Sequence, residues 1–525
     1  MLSLRSHTVR QASALLVITA LLSNVLGLVR NLIFYRFINR ADLDVYYTSF
    51  RVSDFLFNVL IFGAITSAVI PILTGLLNRK KNAQAAEVTN QLLSWATVVL
   101  IIVMAILYFL MPFIIGELAP HFDAGRQALT VRFSRLLLLQ TLFFSWSFIL
   151  GSLLNGYRRF ATYSFAPLVY NLSIIIGGIM ARQHGIAVVI YAVVAGAFLH
   201  FLIQYLELRM TGYRVRFDLR FTNELRTILQ LMWPRGASQG ATQTLLSVYN
   251  SLGSGLQKGS ITIFNGINDL QTTPTVIVAN SLATACFPAL SAQAGEQQWT
   301  EMNALLTKAF RLTLFILLPI LAFSLILRAQ IIRLYFGISG ASWELTIIAI
   351  STFIWFMIST IPSSLVVVLS RIFYATRDAK TPMYIAIVTS ALGIAISYVG
   401  VTVLHFSVAT FAFSEMTIAF CQFFAYFFIL YRRNILHLSF RSLAGYGLNY
   451  GIGSLILAAT AWATLHIVDS IYVSTGWIST TRVIGLMIQG VLAGLVGIAA
   501  YFGYSTIRSK EELGWVKLRG STLRR

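Results

Sequence analysis

About fourteen apolar runs, each roughly 20 residues or longer, succeed one another along the 525-residue chain, and nothing else in it constrains the fold as strongly. They lie near 10–35, 43–75, 86–113, 128–155, 161–181, 184–208, 222–250, 257–290, 301–327, 341–371, 379–403, 407–431, 445–470 and 479–507, with short polar loops between them. With 57% hydrophobic and 11% charged residues, the chain has too little polarity to cover such a surface in water. It reads as an all-α polytopic membrane protein. The first run, after Arg5 and Arg10, is too long for a secretory signal and lacks a small-residue cleavage pattern, so it reads as a retained span. The two cysteines, Cys286 and Cys421, sit inside apolar segments, which excludes a disulfide framework and a thiolate metal site.

A formal charge of +21 would suggest nucleic acid in a soluble protein. Here the basic residues occupy short alternate loops. With both termini cytoplasmic, about 26 Lys and Arg fall on that side, among them Arg79, Lys80, Lys81, Arg158, Arg159, the cluster Arg209 to Arg226, Arg432, Arg433 and the tail from Arg508 to Arg525; about 8 fall opposite. This asymmetry predicts both termini inside and excludes a nucleic-acid role for the charge.

An internal repeat sets the organisation. AITSAVIPILTGLL from Ala64 matches SLATACFPALSAQA from Ser281, with Pro71 answering Pro288, and YRRFATYSFAP ending at Pro167 matches YATRDAKTP ending at Pro382. The period near 215 residues holds six helices, an even number, so the two copies run parallel in topology. The expected domains are a six-helix lobe at 1–210, a second at 211–440, and two additional helices with a basic tail at 441–525. Such lobes predict a central cavity that opens alternately to each side. Gly445, Gly447, Gly451 and Gly453 include a GxxxG step that predicts close helix packing.

Polar residues concentrate in four spans. Asn24, Arg30 and Asn31 occupy the first; Asp44, Tyr47, Arg51, Asp54 and Asn58 step by three or four along one face of the second. The seventh begins LMWPRGASQGATQ, with Arg235 next to Pro234 and Gly236, and the eighth carries Asn265, Asn268 and Asp269. A charge facing lipid at mid-span costs at least about 2.5–3.5 kcal/mol, so these residues should face protein or water. Plainer readings stand beside the functional one. Arg51 and Asp54 can neutralise each other at their i, i+3 spacing, Arg235 can snorkel to the surface, and Asp269 can neutralise an arginine. Glu415, in the twelfth span, is either a coupling site for Na+ or H+ or a member of a hidden interhelical bond.

The stretches SNVLGLVRN, LDVYYTSFRV, FGAITSAVIPIL and PTVIVANSLATACFPALS, together with the RDAKTP loop, resemble the MurJ (MviN) family of the multidrug, oligosaccharidyl-lipid and polysaccharide exporter superfamily. The resemblance covers essentially the whole chain. It implies a flippase, not an enzyme, that moves lipid II or a related undecaprenyl-diphosphate-linked saccharide to the outer leaflet of the bacterial cytoplasmic membrane for cell-wall synthesis. It further implies a cationic cavity lined by the first, second, seventh and eighth helices and a lipid-tail groove at about 445–507. Arg30 falls on the family's first-helix arginine, Asp44 on its acid at the start of the second helix, and Arg51 where lysine is common. Other family charges are replaced: an arginine by Asn24, an acid by Asn31, an arginine and a glutamate by Phe57 and Phe62, and an eighth-helix arginine by Asp269.

The resulting substrate-binding set is Arg30, Arg51, Arg235, Asn24, Asn31, Asp44, Asp54, Asn58, Asn265 and Asp269, with guanidinium forks for phosphate and amides for the saccharide. No cofactor or metal is expected, and the expected partners are the lipid-linked saccharide, the bilayer and cell-wall synthesis proteins, with the chain a monomer. Two other readings stay open: a multidrug extruder of the same superfamily, and a scaffold that no longer transports. A polyprenyl-phosphate transferase would rest on Glu117, His121 and Asp123, whose spacing matches no strong metal signature.

Overall fold

The structure, a computed structural model, describes residues 9–62, 69–336, 343–437, 440–475 and 483–517. Arg5, the Ala64 to Ala68 part of the first repeat motif, and Arg519, Arg524 and Arg525 of the tail lie outside the described residues. All regular structure among the described residues is helical. In chain order the helices are α1 (Val9–Phe37), α2 (Arg40–Phe57), α3 (Ile70–Asn78), α4 (Asn82–Leu118), α5 (Ala124–Gly156), α6 (Phe160–His184), α7 (Ala187–Arg209), α8 (Asn223–Ser254) and α9 (Ser260–Thr275). They continue as α10 (Ser281–Gly295), α11 (Trp299–Ile326), α12 (Arg328–Phe336), α13 (Trp343–Ala375), α14 (Lys380–Tyr398), α15 (Ala409–Arg432), α16 (Phe440–Thr475), α17 (Val483–Arg508) and α18 (Lys510–Lys517).

Twelve helical stretches among the described residues are long and apolar enough to cross a membrane, against the fourteen runs expected. The shortfall has a physical reason. The second expected span runs through residues 63–68, which lie outside the described residues, and its described part, α2, is diluted by polar side chains; the seventh, α8, is diluted likewise, and neither α2 nor α8 is among the twelve. The distribution of polarity is that of a multi-pass membrane protein. Phe109, Phe113, Leu448 and Leu455 are exposed, whereas Thr48, Ser49, Ser134, Ser145 and Ser147 are sealed inside.

The repeat is legible in the backbone as well. Five residues of π-helix, Asn58–Phe62, follow α2, and five more, Val276–Asn280, join α9 to α10 at the equivalent place in the second copy. Each copy then ends its prolyl helix in a left-handed residue that is not glycine: Lys80 (φ 59°) and Gln297 (φ 56°). In both, the amide of the next residue reaches five residues back, Lys81 to the Leu76 carbonyl at 3.0 Å and Gln298 to the Gln293 carbonyl at 2.8 Å, closing a Schellman motif.

The chain divides into two compact units, Met1–Asn265 with Ala386–Tyr398, and Gly266–Ile385 with Val399–Arg525. In the first, α5 is the central helix, packing on α2, α4 and α7 around Leu150, Leu153, Leu154, Val88 and Leu73. A segment read only as a basic loop, 213–222, lies extended along α4. Asn90 accepts from the Tyr213 hydroxyl (2.6 Å) and the Arg216 amide (3.2 Å), Ser94 accepts from the Asp218 amide (2.9 Å), and the Trp95 indole donates to the Leu219 carbonyl (3.2 Å).

In the second unit, α13 packs on α11 and α15 around Phe373, Leu369 and Leu306, and α16 pairs with α17. The expected GxxxG contact is corrected. A Cβ on Gly447 or Gly451 would meet nothing within 4 Å, whereas one on Gly453 would come within 2.8 Å of the Tyr504 ring, so the close approach to α17 is made there. The C-terminal helix α18 is held to α11. Arg311 binds Glu511 at 2.7 Å and the buried Glu512, Tyr450 donates to Glu512 at 2.5 Å, and the Arg311 guanidinium stacks between Tyr446 and Trp515.

Candidate functional site

Helix α2 starts where Asn39 caps it, its side chain accepting from the Asp42 amide at 2.8 Å, with Asp42 favourably placed in the first turn. From there two polar rows run along it. Asp44, Thr48 and Arg51, at i, i+4 and i+7, share one face, and each is bonded to the segment from α8 to α9. Asp44 takes the Gly259 amide at 2.6 Å, the Thr262 amide at 2.8 Å and the Thr262 hydroxyl at 2.7 Å, capping α9 from another helix. Thr48 meets Asn250 at 3.3 Å. Arg51 donates to Asn265 Oδ1, and the Asn265 amide nitrogen donates to the Ile261 carbonyl at 2.7 Å, which fixes the oxygen toward the guanidinium.

The second row, Ser49 and Ser53, faces α5. Ser134 donates to the Ser49 carbonyl (3.1 Å), and Ser53 meets the Thr141 hydroxyl (2.6 Å) and the Leu137 carbonyl (3.0 Å). Small hydroxyl residues thus let α2 and α5 approach while keeping their polar atoms satisfied. Between the rows lie Asp54 and Asn58, whose amide donates to the Asp54 carbonyl at 2.9 Å. They open on a cavity of about 370 Å³ lined also by Phe57, Gln140, Tyr170 and His200.

On α1, Arg30 is half-buried, and its Nε donates to Oδ1 of the buried Asn31 at 3.1 Å. The contact from Asn31 helps to orient this guanidinium. Asn24 is half-buried and shares the Asn31 face at i, i+7. The half-buried Tyr170 of α6 lines the same cavity as Asp54 and Asn58.

Arg235 is half-buried on α8. Its neighbour Gly236 allows the π-helical stretch to approach, since a Cβ there would lie 3.1 Å from the Val59 carbonyl oxygen. Asp269 and Glu415 belong to the second unit, each half-buried, on α9 and α15. The geometry therefore groups Arg51 with Asn265, Arg30 with Asn31, and Asp54 with Asn58, and commits the oxygens of Asp44 to protein donors. Of the loop residues considered as metal ligands, Asp123 caps α5, where the Arg126 amide and guanidinium hold its carboxyl below the usual range, and His121 meets Ser254 at 3.3 Å.

Sequence reasoning missed Gln140, Thr141, Tyr170 and His200, all in the cavity wall, and Ser147, which meets His200 at 2.6 Å. The available signal was the run of Ser and Thr at i, i+4 spacing inside apolar helices.

Comparison with known proteins adds the lineage. The family model described as Lipid II flippase MurJ matches residues 33–484. A probable lipid II flippase MurJ of Borreliella burgdorferi is 26% identical over 73% of this chain and 76% of its own length. A lipid II flippase MurJ of Burkholderia cenocepacia is 26% identical over 70% and 73%. Among solved structures, a lipid II flippase MurJ in an inward closed conformation superposes with a TM-score of 0.76 at 20% identity, covering 95% of this chain and all of the other. An inward-facing MATE transporter of the MOP superfamily superposes at 0.65 with 14% identity, covering 81% and 96%. At these identities the structural likenesses establish a shared fold.

Proposed function

The chain belongs to the lipid II flippase MurJ family, transporters and not enzymes, and from that premise we propose that it carries a polyprenyl-diphosphate-linked saccharide, lipid II or a close relative, from the inner to the outer leaflet of the bacterial cytoplasmic membrane. The cargo supports peptidoglycan synthesis, transport proceeds by alternating access, and both termini are cytoplasmic. The observation that carries this reading is the contact of two guanidiniums on α1 and α2 with side-chain amides, Arg51 with Asn265 and Arg30 with Asn31.

A diphosphate cannot enter hydrocarbon alone, because desolvating an isolated charge is prohibitive. Planar guanidinium forks replace its hydration shell with fixed, charge-assisted hydrogen bonds. Asn24, Asn58 and the cavity amide of Gln140 offer donors and acceptors to the saccharide, while the polyprenyl tail remains in lipid beside α16 and α17. The cycle is biased only if cargo or ion binds the two states unequally. Glu415 is the proposed coupling group for Na+ or H+, and an unchanged sodium and pH response in Glu415→Gln removes it from that role.

The test is a leaflet-specific headgroup assay on reconstituted protein. Arg30→Ala with Arg51→Ala should abolish headgroup transfer of the lipid-linked saccharide; transfer at the wild-type rate refutes the anion role. A second reading, extrusion of organic cations, is favoured by one feature: Asp54 opens on a cavity walled by Phe50, Phe57, Phe144, Phe148 and Tyr170, a set suited to cation–π recognition. Drug resistance conferred on a sensitive host and abolished by Asp54→Asn would select that reading.

A further inference from the structure

A second arginine pair lies away from α1 and α2. Helices α4, α5 and α7 enclose an open groove of about 680 Å³, a volume typical of small-ligand sites, with Arg132 and Arg135 in its wall. The i, i+3 spacing puts both on one side of α5. Neither guanidinium is loose. Arg132 donates to the Tyr191 hydroxyl at 3.2 Å, and Arg135 donates from Nε to the Tyr108 carbonyl at 3.0 Å while its guanidinium stacks 4.3 Å over the Tyr108 ring. No carboxylate among the described residues pairs with either.

Position gives the groove its chemistry. From Leu136, immediately after Arg135, to Leu154 α5 carries no charged residue, about 28 Å of helix and one hydrocarbon thickness. The two guanidiniums therefore stand where acyl chains give way to headgroups. The remaining walls, Tyr108, Phe109, Leu139 and Tyr191, are exposed and apolar or aromatic. A surface lysine or arginine at this level ordinarily reaches into water. Here the exposed Arg132 and the half-buried Arg135 are each tied to a tyrosine of the groove wall, with no carboxylate among the described residues bound to either.

We propose that this groove binds an anionic glycerophospholipid, its phosphodiester held between Arg132 and Arg135 and its acyl chains lying along Phe109 and Leu139. The pair is matched to a phosphate by charge and by the planar fork of each side chain, and a phosphodiester with glycerol attached fits the volume. Bound there, the lipid ties α4 to α5 and α7 at the headgroup level, outside the polar rows of α2.

The test uses the full chain, purified and stripped of lipid, examined by native mass spectrometry with phosphatidylglycerol or phosphatidylcholine added. The expected result is selective retention of one phosphatidylglycerol, weakened roughly tenfold or more in Arg132→Gln/Arg135→Gln, the loss of at least one charge-assisted contact. Equal retention of the two lipids, or retention by the double variant as strong as by the wild type, overturns the proposal. Photo-crosslinking of the unaltered protein with a diazirine-bearing phosphatidylglycerol guards against a variant that fails to fold. Adducts should map to 104–109 and 131–139, and adducts confined to other segments overturn the assignment. Displacement of phosphatidylglycerol by equimolar undecaprenyl diphosphate would give the groove to the transported lipid and overturn it too.

Discussion

Asp44→Ala is the most informative single substitution for the architecture. The carboxylate is 3% exposed and receives two backbone amides and one hydroxyl from Gly259 and Thr262. Deleting it strands two backbone amides at the first turn of α9, each costing roughly 1–3 kcal/mol when left buried and unpaired, and leaves the Thr262 hydroxyl with the Arg40 carbonyl at 3.3 Å. It also removes a negative charge from a helix N-terminus, worth about 0.3–1 kcal/mol. Against these stands the desolvation of the carboxylate itself, several kcal/mol, which the variant no longer bears. The balance is a loss of roughly 2–5 kcal/mol, with Asp44→Asn keeping one acceptor oxygen and losing about half as much. Unfolding of the detergent-solubilised protein, followed by SDS titration or thermal melting in matched micelles, measures this difference. A loss below about 1 kcal/mol for Asp44→Ala would refute the capping argument, since a dispensable carboxylate would not be buried there.

Three further outcomes follow from other contacts. At the start of α14, burial pushes the Asp378 carboxyl up, but the Thr381 hydroxyl and amide and Arg433 outweigh that and leave it below its ordinary value. A depressed folded-state pKa adds stability above the unfolded value, near 4, that is lost as pH falls through the lower folded value; melting from pH 7 to pH 3 should drop faster for wild type than for Asp378→Asn, and parallel curves would contradict it. In the second unit, Arg311→Gln leaves the 2%-exposed Glu512 without its cation and should cost about 3–5 kcal/mol, releasing α18 to limited proteolysis, while Arg311→Met with Glu512→Leu should largely restore protection. Asn90→Ala removes the acceptor of Tyr213 and Arg216, which should free the 213–222 segment, raising its amide exchange and lowering stability by about 1–3 kcal/mol.

The helices were legible because lipid forbids other backbone on its side, so long apolar runs admit one reading. The same criterion explains why twelve stretches qualify among the described residues. α8 is continuous from Asn223 to Ser254 yet carries Arg235, Ser238, Gln239, Thr242 and Gln243, and its apolarity falls short while tertiary packing sustains the helix. The repeat could be read from Pro71 and Pro288. Its paired π-helical stretches and its left-handed Lys80 and Gln297 could not, because neither leaves a residue-type signature. At the site, periodicity along α2 put Asp44, Tyr47, Arg51, Asp54 and Asn58 in one stripe. The partners of Asp44 and Arg51, Thr262 and Asn265, and those of residues the stripe did not include, Asn250 on Thr48, Ser134 on Ser49 and Thr141 on Ser53, lie about 80 to 220 positions away in the chain and leave no local pattern. The extended strap along α4 was hidden for a similar reason: Arg214, Arg216 and Arg220 read as the charge of a polar loop and say nothing of Asn90 or Ser94.

The central claim is that guanidiniums on α1 and α2, in contact with side-chain amides, hold an anionic lipid head, and equilibrium binding of undecaprenyl-diphosphate-linked saccharide to Arg51→Gln tests it most directly. Loss of one charge-assisted contact, about 1.5–3 kcal/mol, should weaken binding by roughly 10- to 150-fold, with Asn265→Ala weakening it less, because it disturbs only the orientation of Arg51. Affinity within twofold of wild type in both variants would contradict the account.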